Sequence, residues 1–484
     1  MKVILISIEA SPSIYFNILQ EILQQDGHDG KYLHIDPKEN ISREILRDFC
    51  KDADVVCVSC MTNTFLRFAE ISKKIKGIKA KIIVGGVHPT VKPDECLDFA
   101  DYICIGEGEY VIPNILKKLE KGEKINKIIK EQKMVEDLNK LPIPKFKLDN
   151  LYFYYGGKIN KLSKNRNMIG QYFNKYYYII TSRGCPFLCK YCLNHCLVKL
   201  NKNFIKVRRR NHEHIIKELE NIKKIVPKNT IIGIVDDDFC SRPYEDLKKL
   251  CEKYKKRIGL PFFCSTSPSS ISEEKLITLI DAGLIRLEVG IQSISDYVNK
   301  EIYGRYIPKK ITLAKIKMLE KYLKKLEVCF DIILDNPWES DETKIETLNF
   351  ILDLKYPKNV WLFSLTLYPG TDLYDRAKGE GKIKNEIKEI YMNNHTLLKN
   401  NYINTLFVLH LKYGVKKSII KFLLKHNKSP IIKYFLNKGT HLLLRIYNYY
   451  IGLLDSIKRR DRAKRNYYLK APFKKILNLI KNGR

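Results

Sequence analysis

The sequence predicts an α/β protein with three parts: a doubly wound N-terminal domain, a partial (β/α)6 barrel and a basic, helical C-terminal region. Short apolar runs alternate with amphipathic stretches over the first 125 residues. The same alternation resumes with a longer period at residue 176, and strand-like runs stop near residue 390. A chain of 484 residues is long enough for two or three domains. We therefore expect domains at 1–125, 176–390 and 391–484, with a linker at 126–175.

The N-terminal domain is predicted from four near-continuous apolar runs, which are typical of parallel strands covered by helices on both faces. The runs lie at residues 2–8, 54–60, 81–86 and 101–106. Ligands of doubly wound sheets bind at the carboxyl ends of the strands. The stretches "SCMTNT", "GGVHPT" and "GEGEY" fall at these ends and are the candidate binding loops.

The linker prediction depends on "LNKLPIPKF" (138–146), where two prolines within three residues disfavour a helix. Beyond it, six strand-like runs with helical patterns between them predict six βα units. These runs lie at residues 176–182, 230–236, 261–267, 285–290, 327–334 and 360–368. The functional residues of such a barrel lie at the carboxyl ends of its strands.

The C-terminal region concentrates positive charge. Residues 401–484 hold 20 Lys and Arg against two acidic residues, which gives +18 of the chain's total of +33. Three interpretations stay open: a basic amphipathic surface on an anionic membrane, an RNA-binding surface, and a helical cap on the barrel. We favour the membrane over nucleic acid, because the stretches are rich in Leu and Ile and lack glycine-rich loops.

The 13 cysteines do not indicate a disulfide framework, because their number is odd and the chain is long. The N-terminus lacks the features of a signal peptide, and no apolar run approaches the ~20 residues that span a bilayer. We therefore expect a cytoplasmic protein with mostly buried free thiols.

One group of cysteines is different. The stretch "TSRGCPFLCKYCLNHC" (181–196) follows the first predicted barrel strand, and Cys185, Cys189 and Cys192 are spaced C-x3-C-x2-C. A zinc site usually has two C-x2-C-like pairs, and no second pair follows. Three thiolates from one loop suit a [4Fe–4S] cluster with one iron free to bind a small molecule. Cys196 is expected to be a packing thiol rather than a ligand.

The motif "TSRGCPFLCKYC", with Tyr191 before the third cysteine, resembles the radical S-adenosylmethionine (SAM) superfamily in its cobalamin-binding branch. The resemblance implies a [4Fe–4S] cluster held by Cys185, Cys189 and Cys192, with Tyr191 near the methionine moiety of SAM. It also implies that the open iron chelates SAM, that one electron cleaves its C–S bond, and that the adenosyl radical removes hydrogen from an unactivated carbon.

Further barrel segments are similar to this branch. In "IVDDDF" (234–239) the resemblance points to Asp237 as a site residue, with strand-capping acids as the alternative. In "AGLIRLEVGIQSIS" (282–295), Gln292 replaces an acid that is common in relatives and is expected to bond a ribose hydroxyl. In "DIILDNPWES" (331–340), Glu339 keeps its place, while bulkier residues replace the usual small ones of a Gly-Leu-Pro-Gly-Glu turn.

The N-terminal domain resembles the Rossmann-like cobalamin-binding domains. Ser59 and Met61 stand where such domains have Ser-x-Leu, and Gly85 and Gly86 are expected to leave room for the nucleotide tail. Glu107 lies in the last binding loop.

The Asp-x-His-x-x-Gly motif is absent after the first strand, where "EASPSIY" stands, so no histidine is required as a lower cobalt ligand. His88 is either a pocket residue or a packing residue. A domain that keeps this fold without a corrinoid is the alternative.

The predicted function is a cobalamin-dependent radical SAM enzyme that methylates an unactivated carbon. The alternatives are a radical cyclase or rearrangement enzyme with the same cofactors, and a non-catalytic iron–sulfur or RNA-binding protein. The expected partners are a small-molecule or lipid-like substrate, a reductant such as flavodoxin or ferredoxin, and the inner face of the membrane, met through the basic C-terminus.

Overall fold

A computed structural model describes residues 1–130, 134–355 and 359–426 of the chain. The chain forms two compact units. The first comprises residues 1–339 and 359–397, and the described part of the second comprises residues 340–355 and 398–426. The first unit contains both the N-terminal domain and the barrel.

The N-terminal domain is built on an eight-stranded sheet with the strand order β6-β5-β4-β3-β1-β2-β7-β8. All neighbouring strands are parallel except the β7–β8 pair. The strands are β1 (Lys2–Ser7), β2 (Asp29–Ile35), β3 (Val55–Ser59), β4 (Lys81–Gly85), β5 (Tyr102–Ile105), β6 (Ile128–Lys130), β7 (Leu151–Tyr155) and β8 (Lys158–Lys161). The central strands are almost wholly buried, which explains their uninterrupted apolar sequences.

Helices connect the parallel strands of this sheet, as crossovers require. They are α1 (Ile14–Gln25), α2 (Arg43–Cys50), α3 (Phe65–Ile75), α4 (Val87–Val91) and α5 (Gly108–Glu120). Ser42 caps α2 by accepting a bond from the Ile45 amide.

The segment 126–175 is not the bare linker that we predicted from its prolines. It supplies β6, β7 and β8 to the first sheet. The β7 sequence "LYFYY" is rich in aromatic residues, which favour strands. Gly156 and Gly157, with φ of 63° and 77°, form the turn into β8. The prolines lie in the connection between β6 and β7.

The barrel sheet has six parallel strands in the order β16-β15-β14-β13-β12-β9. They are β9 (Tyr176–Ile179), β12 (Ile231–Ile234), β13 (Phe262–Thr266), β14 (Leu284–Gln292), β15 (Glu327–Leu334) and β16 (Val360–Ser364). Each lies within, or overlaps, one of the six predicted runs.

The helices of this part are α6 (Ile169–Tyr172), α7 (Leu193–Leu200), α8 (His212–Lys223), α9 (Tyr244–Arg257), α10 (Glu273–Ala282), α11 (Lys309–Leu319) and α13 (Asp372–Gly379). Gly283 ends α10 in the left-handed conformation, with φ 110°.

A short antiparallel ribbon stands beside the barrel sheet. It consists of β10 (Ser182–Arg183) and β11 (Arg208–Arg209), and Arg183 is paired directly with Arg208. The cysteine loop begins immediately after β10, so the ribbon fixes where this loop starts.

The end of the barrel reaches into the core of the N-terminal domain. Tyr391 ends a π-helical turn (Ile387–Tyr391), is buried with the core residues of the first sheet, and donates a hydrogen bond of 2.6 Å to Glu95. The two parts of this unit are therefore joined by a shared core as well as by the chain between them.

In the second unit the described helices are α12 (Asp341–Asp353), α14 (Tyr402–Leu411) and α15 (Lys417–Lys425). Lys417 of α15 forms an ion pair with Asp353. Most of the basic tail, predicted to be helical, lies outside the described residues. Within the described ranges, every helix is too short or too polar to span a bilayer.

Candidate active site

A large cavity lies between the carboxyl edge of the first sheet and the mouth of the barrel. Its volume is about 250 Å³. Six residues predicted from the sequence line it: Ser59, Gly85, Gly86 and Glu107 from the N-terminal domain, and Cys185 and Asp237 from the barrel. Two sets of candidate residues that are far apart in sequence therefore meet at one site.

The cysteine loop is held in place at its first residue. Gly184 has φ 97°, and a Cβ atom there would lie 2.8 Å from the Lys206 carbonyl oxygen, so only glycine fits. At the other end the Cys192 amide bonds the Cys189 carbonyl at 2.9 Å. Cys189 is buried, and Cys185 and Cys192 are partly exposed.

Burial raises the pKa of the Cys185 and Cys192 thiols to about 12 and also raises that of Cys189. The thiols are therefore protonated at neutral pH in the metal-free protein. A bound cluster replaces these protons, because metals bind thiolates.

The donor set, three thiols on one loop, suits a [4Fe–4S] cluster. Within the described part of the chain, no three His, Cys, Asp or Glu side chains are grouped to hold one metal ion. A cubane does not require convergence on one point, because each thiolate binds a different iron. Cys196 lies in α7, buried, with its Sγ 4.0 Å from the Cys192 carbonyl oxygen, which is consistent with packing.

Three consecutive aspartates after β12 have different roles. Asp236 accepts bonds from the Thr181 amide (2.6 Å) and from two hydroxyls of the segment before the cysteine loop. Asp238 accepts bonds from three hydroxyls after β13, those of Thr266, Ser267 and Ser270. Asp237, between them, lines the cavity, and burial raises its pKa. Strand capping therefore describes two of the acids, while Asp237 faces the site.

A second cavity opens inside the barrel and holds two other predicted residues, Tyr191 and Gln292. Gln292 takes a left-handed conformation, with φ 68°, at the end of β14. The cavity also contains Asp331 of β15, whose pKa burial and the nearby Glu288 carboxylate raise to about 7. We did not single out Asp331 from the sequence.

A cation lies close to this second cavity. Arg305 donates a bond of 2.6 Å to the Gly290 carbonyl, and its guanidinium lies 5.8 Å from the Phe187 ring in the cysteine loop. Burial raises the pKa of Cys189, and the positive charge of Arg305 partly offsets this effect. In the sequence, Arg305 stands in "YGRY" after β14. A single arginine forms no motif with a fixed spacing, so it could not be predicted as a site residue.

Ser59 and the two glycines stand at the ends of β3 and β4. Ser59 Oγ donates a bond of 2.9 Å to Glu9. A Cβ on Gly86, whose φ is 110°, would lie 2.7 Å from the Cys60 carbonyl oxygen, so this glycine is needed for the close passage of two chain segments. A Cβ on Gly85 would make only an ordinary contact of 3.5 Å with Cys104.

Five predicted residues lie outside the linings of both cavities: Cys189 and Cys192 of the cysteine loop, and Met61, His88 and Glu339. Met61 is 40% exposed. His88 is fully buried against Phe65, with 4.3 Å between ring centroids, and burial lowers its pKa to about 4. The packing interpretation of His88 thus describes its position, because α4 turns the side chain into the aromatic core. Glu339 is buried in the turn after β15, where its amide bonds the Asn336 carbonyl.

Glu107 lines the large cavity but is held by ion pairs. Its carboxylate accepts bonds from Arg183 (3.0 Å), from Arg208 (2.8 and 2.9 Å) and from the Val135 amide (2.8 Å). Burial by itself would raise the pKa of Glu107, but the two arginines and these bonds lower it below its usual value. Neither arginine was predicted from the sequence as a site residue, although Arg183 stands inside the cysteine motif.

Comparison with known protein families agrees with this geometry. Residues 2–116 match the family model of the B12 binding domain, and residues 179–351 match that of the radical SAM superfamily.

The chain belongs to the cobalamin-binding branch of the radical SAM superfamily.

Curated relatives of this radical SAM protein include methyltransferases. An uncharacterized methyltransferase of Pyrococcus horikoshii is 23% identical over 69% of the chain and 71% of its own length. The bacteriochlorophyllide d C-8(2)-methyltransferase of Chlorobaculum tepidum is 25% identical over 76% of the chain and 78% of its own length. An uncharacterized methyltransferase of Synechocystis is 25% identical over 73% of the chain and 61% of its own length.

Among solved structures, the radical SAM methyltransferase TsrM from Kitasatospora setae, with cobalamin and a [4Fe–4S] cluster bound, has the same fold. The TM-score is 0.61 at 16% identity, over 78% of each chain. The predicted fold class, enzyme class and cofactor set of cluster, SAM and cobalamin are therefore confirmed, and the relatives support methyl transfer as the reaction.

Proposed function

We propose that this radical SAM enzyme methylates an unactivated carbon of a small molecule. One observation carries the proposal: a single cavity is lined both by the binding loops of the cobalamin-type domain and by the first cysteine of the cluster motif. The bound cofactors would supply reductive cleavage of SAM and a methyl group. The protein contributes the arrangement, because both functions must reach one substrate carbon.

We assign the cluster to Cys185, Cys189 and Cys192. Arg305 is the cation best placed beside the loop to bind the SAM carboxylate. Gln292 and Asp331 offer polar groups for ribose hydroxyls in the cavity that Tyr191 also lines. Asp237 faces the other cavity, where burial raises the pKa of its carboxyl, and it offers a polar group to a bound molecule there.

We assign the corrinoid to the wall formed by Ser59, Gly85, Gly86 and the "GEGEY" loop. Gly106 supports this assignment, because a Cβ there would meet no atom within 4 Å and the residue lines the cavity. His88 and Met61 have no place in the assignment.

The substrate is expected to be an apolar or lipid-like small molecule. The barrel side of the large cavity presents Leu197, Val198 and Phe204, all of which are apolar. A low-potential donor such as flavodoxin or ferredoxin in the cytoplasm would supply the electron, because the cluster must be reduced before SAM is cleaved.

The basic C-terminus is proposed to bind the membrane surface. Ile419 and Phe422 of helix α15 are exposed. The same helix carries Lys417, Lys421 and Lys425, which are spaced four residues apart and therefore lie along one side of it. Such a helix suits an anionic interface. Sedimentation with phosphatidylglycerol vesicles, but not with phosphatidylcholine vesicles, tests this, and binding should weaken in high salt.

The central experiment is anaerobic purification and reconstitution. Iron, sulfide and cobalt are measured, and S-adenosylhomocysteine and 5′-deoxyadenosine are quantified after reduction. A methyltransferase forms both products together with a methylated compound. Deoxyadenosine without S-adenosylhomocysteine would indicate a non-methylating radical enzyme, and absence of corrinoid after reconstitution would contradict the proposal.

A further inference from the structure

We propose that four charged residues, Glu107, Glu109, Arg183 and Arg208, form a clamp that sets the separation between the corrinoid and the iron–sulfur cluster. The inference deepens the proposed function and rests on it, since a separation matters only if both cofactors act on one substrate. In this view Glu107 is a positioning residue rather than a direct cofactor ligand. We call these four residues the clamp.

The clamp joins the two walls of the large cavity. Glu107 and Glu109 lie at the start of α5, directly after the last binding loop of the N-terminal domain. Arg183 and Arg208 are paired across the β10–β11 ribbon of the barrel. Arg208 contacts Glu107 with both Nη atoms, and Arg183 divides its two Nη atoms between Glu107 and Glu109.

The contacts are largely shielded from water, which makes them strong and directional. The side chains of Arg183 and Arg208 are 9% and 7% exposed, and those of Glu107 and Glu109 are 13% and 5% exposed. Two cations face two anions, so the charges balance only while the ribbon and the binding loop are in contact. Separation of the walls would leave buried charges unpaired.

The clamp lies next to the atoms that it would position. Arg183 is two residues before Cys185, and Gly184 between them is fixed by its close approach to the Lys206 carbonyl. On the other side, Glu107 is flanked by Gly106 and Gly108, which line the corrinoid wall.

The ribbon end of the clamp is itself rigid. Asp236 binds the Thr181 amide and the Ser182 hydroxyl, which ties β10 to the end of β12. The Arg183 guanidinium also lies 5.1 Å from the centre of the Tyr15 ring. Movement of Glu107 would therefore be transmitted to the cysteine loop rather than absorbed by the ribbon.

The test is the magnetic dipolar coupling between cob(II)alamin and the reduced [4Fe–4S] cluster, both of which are paramagnetic. The full-length enzyme is reconstituted, loaded with hydroxocobalamin, reduced with dithionite and measured by pulsed EPR. In Glu107→Gln, which removes one charge at constant size, we expect a broader distribution with a longer mean distance than in wild type, while iron and cobalt contents stay unchanged.

Glu213→Gln is the matched control. Glu213 pairs with Arg257 and Lys253 on the surface, away from the cavity, and its loss should leave the distribution unchanged. Arg208→Lys keeps the charge but lacks the two-pronged contact, and it should give an intermediate distribution. A merely stabilising ion pair would change the melting temperature without changing this distance.

An unchanged distribution in Glu107→Gln with both cofactors bound would overturn the inference. If that variant does not retain cobalamin, Glu109→Gln, which removes only the second partner of Arg183, is measured, and an unchanged distribution there also overturns it. Wild-type enzyme that takes up no corrinoid would instead contradict the proposed function itself.

Discussion

The two walls of the large cavity are built in opposite ways. The barrel wall presents polar side chains to the cavity: the Cys185 thiol, the Asp237 carboxyl and the Arg183 guanidinium. Each is held by neighbouring hydrogen bonds or by a fixed loop. The wall of the N-terminal domain is formed largely by backbone, at Gly85, Gly86 and Gly106, where no side chain is present. One half of the site therefore depends on the chemistry of side chains, and the other half depends on glycine backbone that tolerates few added atoms.

Substitutions in the two walls should therefore have different effects on activity and on stability. Removal of a reactive group from the barrel wall should abolish chemistry and leave the fold intact. Addition of atoms to the wall of the N-terminal domain should disturb the fold or the fit of the corrinoid.

Replacement of Cys185, Cys189 or Cys192 by Ala should abolish the cluster and SAM cleavage completely, because each thiolate is assigned to a different iron. Cys196→Ala is the control, since this thiol is buried in the adjacent helix. Iron content, visible absorbance and 5′-deoxyadenosine are the measurements. A reconstituted Cys185→Ala protein with normal iron and turnover would contradict the assignment.

Gly86→Ala should destabilise the protein by about 3–5 kcal/mol, because the new Cβ adds backbone strain and meets a backbone oxygen. Its neighbour provides the control: Gly85→Ala should change the free energy of unfolding by less than about 1 kcal/mol. Urea denaturation of the cofactor-free proteins measures both. Equal effects at the two glycines would refute this account of the wall.

Asp331→Asn should stabilise the cofactor-free protein at pH 8 by about 4 kcal/mol and have little effect below pH 4. The pKa of Asp331 is about 7 in the folded protein, against a usual value of 3.8. The folded state therefore binds more protons than the unfolded state between these values, and wild-type stability falls as the pH rises through this window.

Denaturation of wild type and Asp331→Asn from pH 4 to pH 8 checks this prediction. Asp281→Asn, at an exposed carboxylate of the barrel surface, is the control. A difference between wild type and Asp331→Asn that does not vary with pH would show that burial of Asp331 does not control its ionisation.

His88→Phe should leave cobalamin binding unchanged, because His88 packs in the aromatic core rather than in the cavity. The pKa of His88 is about 4 when folded, against 6.5. Wild-type stability therefore falls as the pH drops from 6.5 towards 4. The variant should lack this loss, so its stability relative to wild type should be greater at pH 5 than at pH 7 by about 2 kcal/mol. Reduced cobalamin content in His88→Phe would restore the pocket interpretation.

The contrast between the walls also explains what the sequence could predict. Three cysteines at a fixed spacing after a strand form a specific motif, so the cluster loop could be predicted from the sequence. The barrel strands were found because their apolar runs are long and separated by helices. The strand β7 was missed, because its parallel partner β2 lies far earlier in the chain and the nearby prolines indicated a linker.

The wall of the N-terminal domain was harder to predict. Gly86 was chosen for the space it leaves to a ligand, but the structure shows that the Cys60 backbone requires it. His88 and Met61 lie in the same loops as the cavity residues Gly86 and Ser59. A helical turn begins at each of them, and their side chains lie outside the cavity lining. Arg208 could not be recognised, because its importance comes from pairing with Arg183 across 24 intervening residues.

The insertion of Tyr391 has a consequence for how this enzyme can be rearranged. Tyr391, a core aromatic residue of the N-terminal domain, belongs to a segment almost 300 positions after its hydrogen-bond partner Glu95. Exchange of this domain with that of a relative would leave a hole, or a misfit, at that place unless the distal segment were exchanged with it. Residues 387–391 are therefore structurally part of the N-terminal domain, and a domain exchange should include them.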